Sequence, residues 1–523
     1  IYGNADAEDI GEVKIHYGGK SEAAVYKDWD WSYMGCLLRE GCQLNIVRPR
    51  EKDSVFYPEL IIWEPDYLVD ISAVANSFED YAATPLNHLL AKLKPAPNTQ
   101  PIVLGNLASQ FLDEGLCHDD STYIQSVQRF FKGNAVSLLT AGLDKDFHLQ
   151  AQNQKRNIRD TLNNILPSVL HSDGIHFDAS EVMVEPSFFS EMLGLQGRMD
   201  FMELGQKVLI EQKSGKAAYP EKVPLRQQTK HYIQLLLYML LLRYNYRSTY
   251  EQNNYKLYAF LLYSKYPNGL LPLGFAPNLV FDAIRLRNEI AAAEYSYSRE
   301  GLQMLRHLTA DSLNVNHVHG VLWECYQKPQ LEQLLVPIGE ASELERTYYL
   351  RFLQFLETEH LMAKVGGQTK ENSGFADKWY SSLDDKLLAG NIYCAMEMLT
   401  PCPTDTGKVE QVVLAFTESH DQGISNFRTG DIVILYPYAK GDEPDARRTM
   451  VFRATIERIT ANRLYLNLRA AQTNANVFWY EGQRQWAIEH DFFDSSFGAL
   501  YRAMHAFLSA PKDRRDLLLL QRP

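Results

Sequence analysis

The stretch GRMDFMELGQKVLIEQKSGK, residues 197–216, decides the fold prediction. Gly205-Gln206 separates two apolar, strand-like runs, and glycine at the first central position suits a two-residue hairpin turn. Counting along the ladder from that turn places Asp200 opposite Glu211. Directly opposed residues of an antiparallel pair hold their Cβ atoms about 4.5–5.5 Å apart. The sequence therefore predicts that two carboxylates converge on one point of a β-hairpin.

An amine joins these two acids. Side chains alternate along a strand, so Glu211 and Lys213 share one face while the side chain of Gln212 points to the other. Carboxylates held so closely repel each other, and a divalent cation with oxygen ligands, Mg²⁺ or Mn²⁺, offsets that repulsion. Such an ion activates water, and Lys213 would orient that water or balance charge on the scissile phosphate. The alternative is a solvated surface hairpin, because the spacing D-x10-E-x-K also occurs by chance.

The segment KHYIQLLLYMLLL, residues 230–242, predicts a buried helix with a single polar stripe. His231, Gln234 and Tyr238 fall at i, i+3 and i+7, which is one side of a helix. Such a stripe needs a polar partner, and the carboxylate hairpin is the nearest one in sequence. Alternatively, Gln234 and Tyr238 hydrogen-bond each other or the backbone.

Together these motifs resemble the RecB-like branch of the PD-(D/E)xK nucleases. In that branch a G-x-x-D strand precedes a (D/E)-x-K-(S/T)-G strand, and a helix with Q-x3-Y follows. The chain also looks like the eukaryotic-type replication helicase–nuclease family, which trims single-stranded flaps. This closer similarity extends to WEPDYLVDISAVANSF (63–78), FRTGDIVIL (427–435) and WAIEHDFFDSSFGALYRAM (486–504). It implies a β-barrel and a helical stalk that link the nuclease to a superfamily 1 helicase motor, either fused or associated.

The resemblance also implies roles for individual residues. The catalytic residues would be Asp200, Glu211, Lys213, Gln234 and Tyr238. The metal would be bound by Asp200 and Glu211 together with a backbone carbonyl, that of Gln212 or of Ile210. His231 and Tyr238 would contact the DNA strand. Glu185 resembles an acidic position that often precedes the metal-binding Asp, although an exposed strand Glu is an equal alternative.

Three departures from the family pattern bear on the cofactors. Many relatives carry a metal-binding His in a G-x3-H helix, and Ser109 occupies that position here, so Gln110 or Glu114 would have to substitute. The six cysteines lack the close spacing of an iron–sulfur cluster, so no cluster is expected. No G-x4-G-K-(S/T) motif is present, so we expect no ATP site in this chain.

Composition limits the wider context. The net charge of −13 argues against extended groove binding by this chain but leaves room for a buried metal site in which ions offset the acids. Few, scattered cysteines predict a reducing, cytoplasmic compartment. The most apolar run, residues 235–242, is too short to span a bilayer, so no membrane partner is expected.

The predicted fold class is α/β. A restriction-endonuclease-like PD-(D/E)xK core would carry an N-terminal β-rich module, a helical stalk and a small C-terminal β-barrel. The predicted segments are a β-rich module (1–90), the nuclease core (91–335), a stalk or linker (336–400), the barrel (401–490) and a helical segment before an absent motor (491–523). Within the stalk, residues 340–365 and 380–399 are predicted as helices.

The leading functional hypothesis is therefore a Mg²⁺-dependent deoxyribonuclease that acts on single-stranded ends or flaps. Because Ser109 replaces the expected His and the chain is acidic, a non-catalytic DNA-binding platform of a helicase assembly is the alternative. A stand-alone nuclease that acts on duplex DNA is a third possibility.

Overall fold

The computed structural model of the protein describes most of the chain. The described residues are 12–17, 21–26, 29–53, 55–117, 120–205, 207–219, 224–246, 256–367, 374–399, 401, 403–404, 407–417, 425–479, 484–492 and 494–522.

The N-terminal region is rich in short strands, as predicted. These strands are β1 (Glu12–Tyr17), β2 (Ser21–Tyr26), β3 (Leu44–Val47), β4 (Arg50–Lys52), β5 (Val55–Tyr57) and β6 (Leu60–Trp63). One sheet has the order β1-β2-β5-β4, and β3 pairs separately with β6. Strand β6 is entirely buried. The backbone N–H of Trp63 at its end donates to Asn288 Oδ1 at 3.0 Å, which ties this region to the central core.

Two sheets build the predicted α/β core. The strands of the larger sheet are β10 (Val182–Val184), β13 (Phe201–Glu203), β14 (Val208–Lys213), β15 (Tyr258–Tyr263) and β16 (Leu270–Leu273). They are ordered β10-β13-β14-β15-β16, and β14 runs parallel to β15. The strands of the smaller sheet are β7 (Val69–Asp70), β11 (Ser187–Ser190) and β12 (Leu195–Arg198). A short hairpin joins β8 (Phe78–Glu79) to β9 (Ala82–Ala83). The parallel pairing of β7 with β12 shows that residues before and after 91 share one sheet.

Helices cover both faces of the larger sheet. The helices up to this sheet's last strand are α1 (Ile71–Asn76), α2 (Pro85–Leu93), α3 (Gln100–Leu116), α4 (Tyr123–Gly133), α5 (Ala135–Thr140), α6 (Phe147–Asp160), α7 (Leu166–Ser172) and α8 (Thr229–Asn245). Strand β14 alternates between two cores: Val208 and Ile210 pack with residues of α3 and α6, whereas Leu209 packs with residues of α8. This period of two puts Glu211 and Lys213 on the α8 face.

The remaining helices form a layer beside the core and continue to the C-terminal end. They are α9 (Pro277–Glu300), α10 (Ala310–Leu313), α11 (Lys328–Glu340), α12 (Glu343–Val365), α13 (Asp377–Tyr380), α14 (Leu383–Leu388), α15 (Asp494–Ser509) and α16 (Lys512–Leu518). Helix α12 begins at a capping box formed by Ser342 and Glu345, and it confirms the helix predicted over 340–365. The boundaries of the five predicted segments stay predictions.

A closed six-stranded barrel follows, as predicted. Its strands are β17 (Ile392–Met398), β18 (Val409–Ala415), β19 (Ile432–Ala439), β20 (Phe452–Ile459), β21 (Arg463–Gln472) and β22 (Arg484–His490), in the order β17-β18-β21-β20-β19-β22. The helix predicted over 380–399 is therefore wrong in its second half, because residues 392–398 form β17. Strand pairing with the next strand, β18, and with β22, which is far away in sequence, overrides the local helical pattern there.

The barrel is joined to the nuclease core by backbone and side-chain hydrogen bonds. Gln472 accepts from the N–H of Val184 at 3.1 Å and donates to the Val184 carbonyl at 2.9 Å. Ser187 and Val451 form an antiparallel bridge with N···O distances of 3.3 and 2.9 Å. Among the described helices, none combines the length and the apolar character needed to cross a lipid bilayer.

Candidate active site

The hairpin of β13 and β14 brings the two predicted acids together. Phe201 pairs with Ile210 and Met202 with Leu209, so the predicted register is confirmed. Continuing that register sets Asp200 across from Glu211. The Oδ2 atom of Asp200 accepts the backbone N–H of Gln212 at 2.5 Å, which holds this carboxylate against β14. The predicted turn includes Gln206, which lies outside the described residues.

Glu211, Lys213 and Gln234 form one hydrogen-bonded triangle. The Nζ atom of Lys213 lies 2.8 Å from Glu211 Oε1 and 2.8 Å from Gln234 Oε1. The side-chain amide of Gln234 donates to the same Glu211 oxygen at 2.7 Å. All three side chains are buried or largely buried on the α8 face. The structure thus places the polar stripe of α8 against the carboxylate hairpin.

Tyr238 supports the backbone beside Asp200. Its ring is 2% exposed, and its hydroxyl donates to the Arg198 carbonyl at 2.6 Å. The Gln234 amide approaches the same hydroxyl at 3.4 Å. Because the ring is buried and the hydroxyl proton is committed to a carbonyl, Tyr238 acts as a support for the site. Its predicted DNA contact stays a prediction.

Burial and mutual repulsion shape the charges of the two central acids. Burial raises the pKa of Glu211 to about 8, and the negative charge of Asp200 acts in the same direction while Lys213 opposes it. Burial likewise raises the pKa of Asp200. Burial alone would lower the pKa of Lys213, but Glu211 and Asp200 raise it overall, so its ammonium stays charged. The site thus holds two acids that favour an added positive charge.

Asp113 on α3 is an acid near the site that the sequence interpretation did not name. Burial raises its pKa to about 7, Lys408 opposes this shift, and the charges of Glu185 and Asp200 add to it. Its carboxylate also lies 4.0 Å from the Lys408 ammonium. Asp113 stands four residues after Ser109 and eight after Gly105, so all three share one side of α3. That spacing is the signal by which it could have been found.

Glu185 joins this acidic group from the connection between β10 and β11. Its backbone N–H donates to the Asp200 carbonyl at 2.9 Å, and its carboxylate forms an ion pair with Arg198 at 2.9 Å. Burial raises the pKa of Glu185, and Asp200 raises it further. Glu185 has a φ of 49°, a conformation that non-glycine residues adopt only at a cost. Glu185 therefore lies next to Asp200 and is not an isolated exposed strand residue.

The expected substitutes for the missing His have other partners. Glu114 is 1% exposed, and its carboxylate binds Arg129 at 3.1 Å and Lys155 at 3.0 Å. Gln110 donates to Glu114 at 2.8 Å. These contacts lie among α3, α4 and α6, and two cations already neutralise Glu114. We therefore do not include Glu114 among the proposed metal ligands.

A cavity lies at the end of β14, and Ser109 and His231 are among the residues that line it. This cavity of about 230 Å³ is bordered by Gly105, Ser109, Gln212, Lys213, Ser214, Gly215 and His231. Burial lowers the pKa of His231 to about 3, and the charge of Lys213 adds to the shift. His231 Nδ1 lies 2.9 Å from the Tyr263 hydroxyl. At neutral pH His231 would therefore meet DNA as a neutral ring, and its DNA contact stays a prediction.

A different acidic group lies among the helices α2, α9 and α12. The ligand atoms of Glu294, Glu357 and His360 lie within 4.8 Å of one another, the only such group of His, Cys, Asp and Glu in the part of the chain that the structure describes. The Lys92 ammonium binds both carboxylates, at 3.0 Å in the case of Glu357. An amine thus already occupies the place that a metal ion would need. This group serves to tie α2, α9 and α12 together.

Comparison with known proteins agrees with this geometry. Residues 75–315 match the PD-(D/E)XK nuclease superfamily, so this part of the chain is a domain of that superfamily. The match covers a little under half of the chain and includes Asp113, Asp200, Glu211, Lys213 and Gln234. Proteins of the superfamily are nucleases that use divalent metal ions. No curated protein has significant sequence similarity to the chain. The narrower resemblance to replication helicase–nucleases therefore stays a prediction.

Proposed function

We propose that the protein is a metal-dependent DNA nuclease that hydrolyses phosphodiester bonds in single-stranded ends or flaps. The observation that carries this proposal is the convergence of Asp200 and Glu211 from neighbouring strands, with the Lys213 ammonium 2.8 Å from Glu211 on the same face. Two buried acids beside one buried amine are costly in a structural role, because their desolvation exceeds what one ion pair returns. Binding of a metal ion by the acids and of a phosphate by the amine would offset this desolvation free energy.

The donor atoms fit a hard divalent cation. Glu211 Oε2 is buried and lacks a hydrogen-bond partner among the described residues, so it has a lone pair to offer. Asp200 and Glu211 would hold the ion, and the Gln212 carbonyl is a further oxygen ligand beside them. Such oxygen ligands suit Mg²⁺ or Mn²⁺. When bound, the ion lowers the pKa of a water and offsets charge on the phosphate.

The remaining side chains of the site would orient the reacting groups and offset the negative charge of the phosphate. Lys213, held by Glu211 and Gln234, presents a fixed positive charge to the attacking water or to the scissile phosphate. Gln234 hydrogen-bonds both Lys213 and Glu211 and so fixes the position of the amine relative to the acid. Tyr238 holds the Arg198 carbonyl and, through the chain, the position of Asp200. Preorganised charges of this kind stabilise the negative charge that develops during phosphoryl transfer.

We further propose that the chain acts with a superfamily 1 helicase motor, fused or associated. The support is the sequence resemblance, together with a six-stranded barrel fastened to the nuclease core. A helicase would deliver one unpaired strand, which agrees with a preference for single-stranded ends. Duplex-specific cleavage would contradict this part of the proposal while leaving the nuclease assignment intact.

A cleavage assay tests the activity. Labelled single-stranded, flap and blunt duplex DNA would be incubated with Mg²⁺, Mn²⁺, Ca²⁺ or EDTA. We expect cleavage of single strands and flaps with Mg²⁺ or Mn²⁺ and none with EDTA. Asp200→Asn, Glu211→Gln and Lys213→Ala should each lose more than about 10²-fold in rate, as removal of a preorganised charge does elsewhere.

Lys207→Ala is the matched control, because Lys207 is an exposed lysine at the opposite end of the same hairpin. It should retain wild-type cleavage. Wild-type protein that binds DNA but never cuts it would instead favour the non-catalytic platform. Cleavage by Lys213→Ala at the wild-type rate would refute the assigned site.

A further inference from the structure

Tyr263 of β15 lies directly beside Lys213 of β14. The two strands run parallel, and their register pairs these two residues. Paired residues of a ladder project to the same side of the sheet, so the Tyr263 side chain shares the α8 face with Lys213. Tyr263 is 0% exposed and packs in the same core as the apolar residues of α8. A hydroxyl that is buried in this way needs hydrogen-bond partners.

The Tyr263 hydroxyl finds its two partners at the start of α8. It accepts the backbone N–H of Gln228 at 3.0 Å and lies 2.9 Å from Nδ1 of His231. Burial raises the pKa of Tyr263 to about 12, although the hydrogen bond from Gln228 opposes this shift, so the hydroxyl keeps its proton at neutral pH. Among the described residues, Nδ1 of His231 is the only acceptor for that proton. The hydroxyl therefore donates to Nδ1.

This hydrogen bond selects one form of the His231 ring. A neutral imidazole has one N–H and one acceptor nitrogen. Because Nδ1 accepts the Tyr263 proton, the ring carries its own N–H at Nε2. Burial lowers the pKa of His231 to about 3, with Lys213 adding to the shift, so the ring is neutral at neutral pH. His231 thus offers a hydrogen-bond donor and keeps no free lone pair that could accept a proton.

The Nε2 donor of His231 is not used within the protein. It has no hydrogen-bond partner in the part of the chain that the structure describes, and the side chain is partly exposed. His231 and Lys213 both border the cavity of about 230 Å³ at the end of β14. An ammonium and an N–H beside one cavity suit an anion that presents several oxygens, and a phosphate group is such an anion.

We propose that His231 donates its Nε2–H to an oxygen of the scissile phosphate, and that Tyr263 is the positioning residue that fixes this donor. The inference rests on the proposed nuclease function and deepens it, because it assigns a neutral donor to the reacting group. A donor that is oriented before the reaction stabilises the negative charge that develops on phosphate oxygens. Since Nδ1 is already an acceptor and Nε2 carries a proton, His231 is not the general base.

Cleavage kinetics test the donor. The rate constant would be measured under single-turnover conditions at saturating single-stranded DNA, and the affinity by anisotropy in Ca²⁺. His231→Leu removes the N–H and should lower the rate constant about 10²-fold, the usual loss for one donor to developing charge, with little change in affinity. His231→Gln keeps an uncharged N–H donor and should stay within about tenfold of the wild type.

Tyr263→Phe tests the positioning role, because it keeps the ring and removes only the hydroxyl. We expect the rate constant to fall about tenfold, as His231 loses the hydrogen bond that fixes its tautomer. Tyr266→Phe is the matched control, since the Tyr266 hydroxyl has no hydrogen-bond partner within the described ranges. It should cleave like the wild type. Thermal unfolding of each variant would identify any loss of folded protein.

The His231 ring can also be observed without cleavage. In protein labelled with ¹⁵N at histidine, the His231 signals are identified by their absence from His231→Gln. We expect NMR spectra of the wild type to show a protonated Nε2 and an unprotonated Nδ1. Tyr263→Phe should change the Nδ1 signal, and single-stranded DNA in Ca²⁺ should shift the Nε2 signal.

The outcomes separate this inference from the nuclease function. If Nδ1 carries the proton, or if DNA leaves the Nε2 signal unchanged, the inference is wrong even where the protein cleaves DNA. It is equally wrong if His231→Leu cleaves like the wild type, or if His231→Gln is as slow as His231→Leu. If both signals respond as expected in a protein that never cleaves DNA, the phosphate contact holds and the nuclease proposal fails.

Discussion

Gly197 and Tyr238 are in such close contact that a methyl group at position 197 would lie 2.7 Å from Cε1 of the tyrosine ring. The contact comes from two segments that are 41 residues apart, the G-x-x-D strand and the Q-x3-Y helix. It gives the glycine of that motif a packing reason. The absent Cβ lets the ring reach the Arg198 carbonyl beside Asp200.

Gly197→Ala should displace the Tyr238 ring and with it the backbone that carries Asp200. We expect a loss of about 1–3 kcal/mol in the free energy of unfolding, as for other overpacked sites. The rate constant of cleavage should fall by a larger factor than this loss of stability alone would cause. Urea unfolding and single-turnover cleavage check both effects. Gly274→Ala is the control, since Gly274 is exposed and nothing lies within 4 Å of its added Cβ. Equal behaviour of the two variants would contradict the argument.

Gln234→Ala should lower the rate constant of cleavage with little change in DNA affinity. The buried amide holds Glu211 and Lys213 in place. Misplacement of a catalytic group by about 1 Å costs on the order of 10²-fold in rate. Rapid-quench kinetics at saturating DNA would measure the rate constant, and anisotropy in Ca²⁺ the affinity. A variant that weakens affinity alone would show that Gln234 serves binding.

Divalent cations should stabilise the folded protein through Asp200 and Glu211. At a concentration of 100 times Kd, one bound ion adds about 2.7 kcal/mol to the free energy of unfolding. Thermal unfolding with and without Mn²⁺ would measure this shift, which Glu211→Gln should abolish. Glu357→Gln should retain it, because Lys92 already neutralises that buried group. If only Glu357→Gln abolished the stabilisation by Mn²⁺, the metal site would instead be the group of Glu294, Glu357 and His360.

Stability should fall as the pH is lowered below about 6.5. Burial lowers the pKa of His88 to about 3, although Glu294 opposes the shift and Lys92 adds to it. Between pH 6.5, the value expected for an unfolded His, and pH 3, the unfolded chain binds more protons than the folded one. The free energy of unfolding then drops by up to about 1.4 kcal/mol per pH unit in that window.

Urea unfolding of His88→Gln at pH 7, 6 and 5 checks this dependence, and the variant should show a shallower decline than the wild type. His171→Gln is the control, as His171 is exposed at the end of α7. An unchanged slope in His88→Gln would show that other groups on these helices govern the acid response.

Local sequence determined the hairpin and its register. The alternation of Val208 to Lys213 has a period of two, and a one-residue slip would turn Glu211 into the apolar core of α3 and α6. The same kind of local signal predicted α8, since a continuous apolar run with one polar stripe is typical of a buried helix. The family resemblance rested on these segments because they interact across short sequence distances.

Tertiary structure decided what contacts over long distances control. Residues 392–398 became a strand because the barrel closes through β22, and Asp113 joined the acids because α3 packs across the sheet. Val184 hydrogen-bonds Gln472, which is 288 residues away in sequence, and no periodicity of the sequence predicts this contact. Period and spacing describe which face a side chain occupies on its own element. Only packing between elements decides which faces meet, and that is why the sequence could place Asp200 opposite Glu211 but could not place Val184 against Gln472.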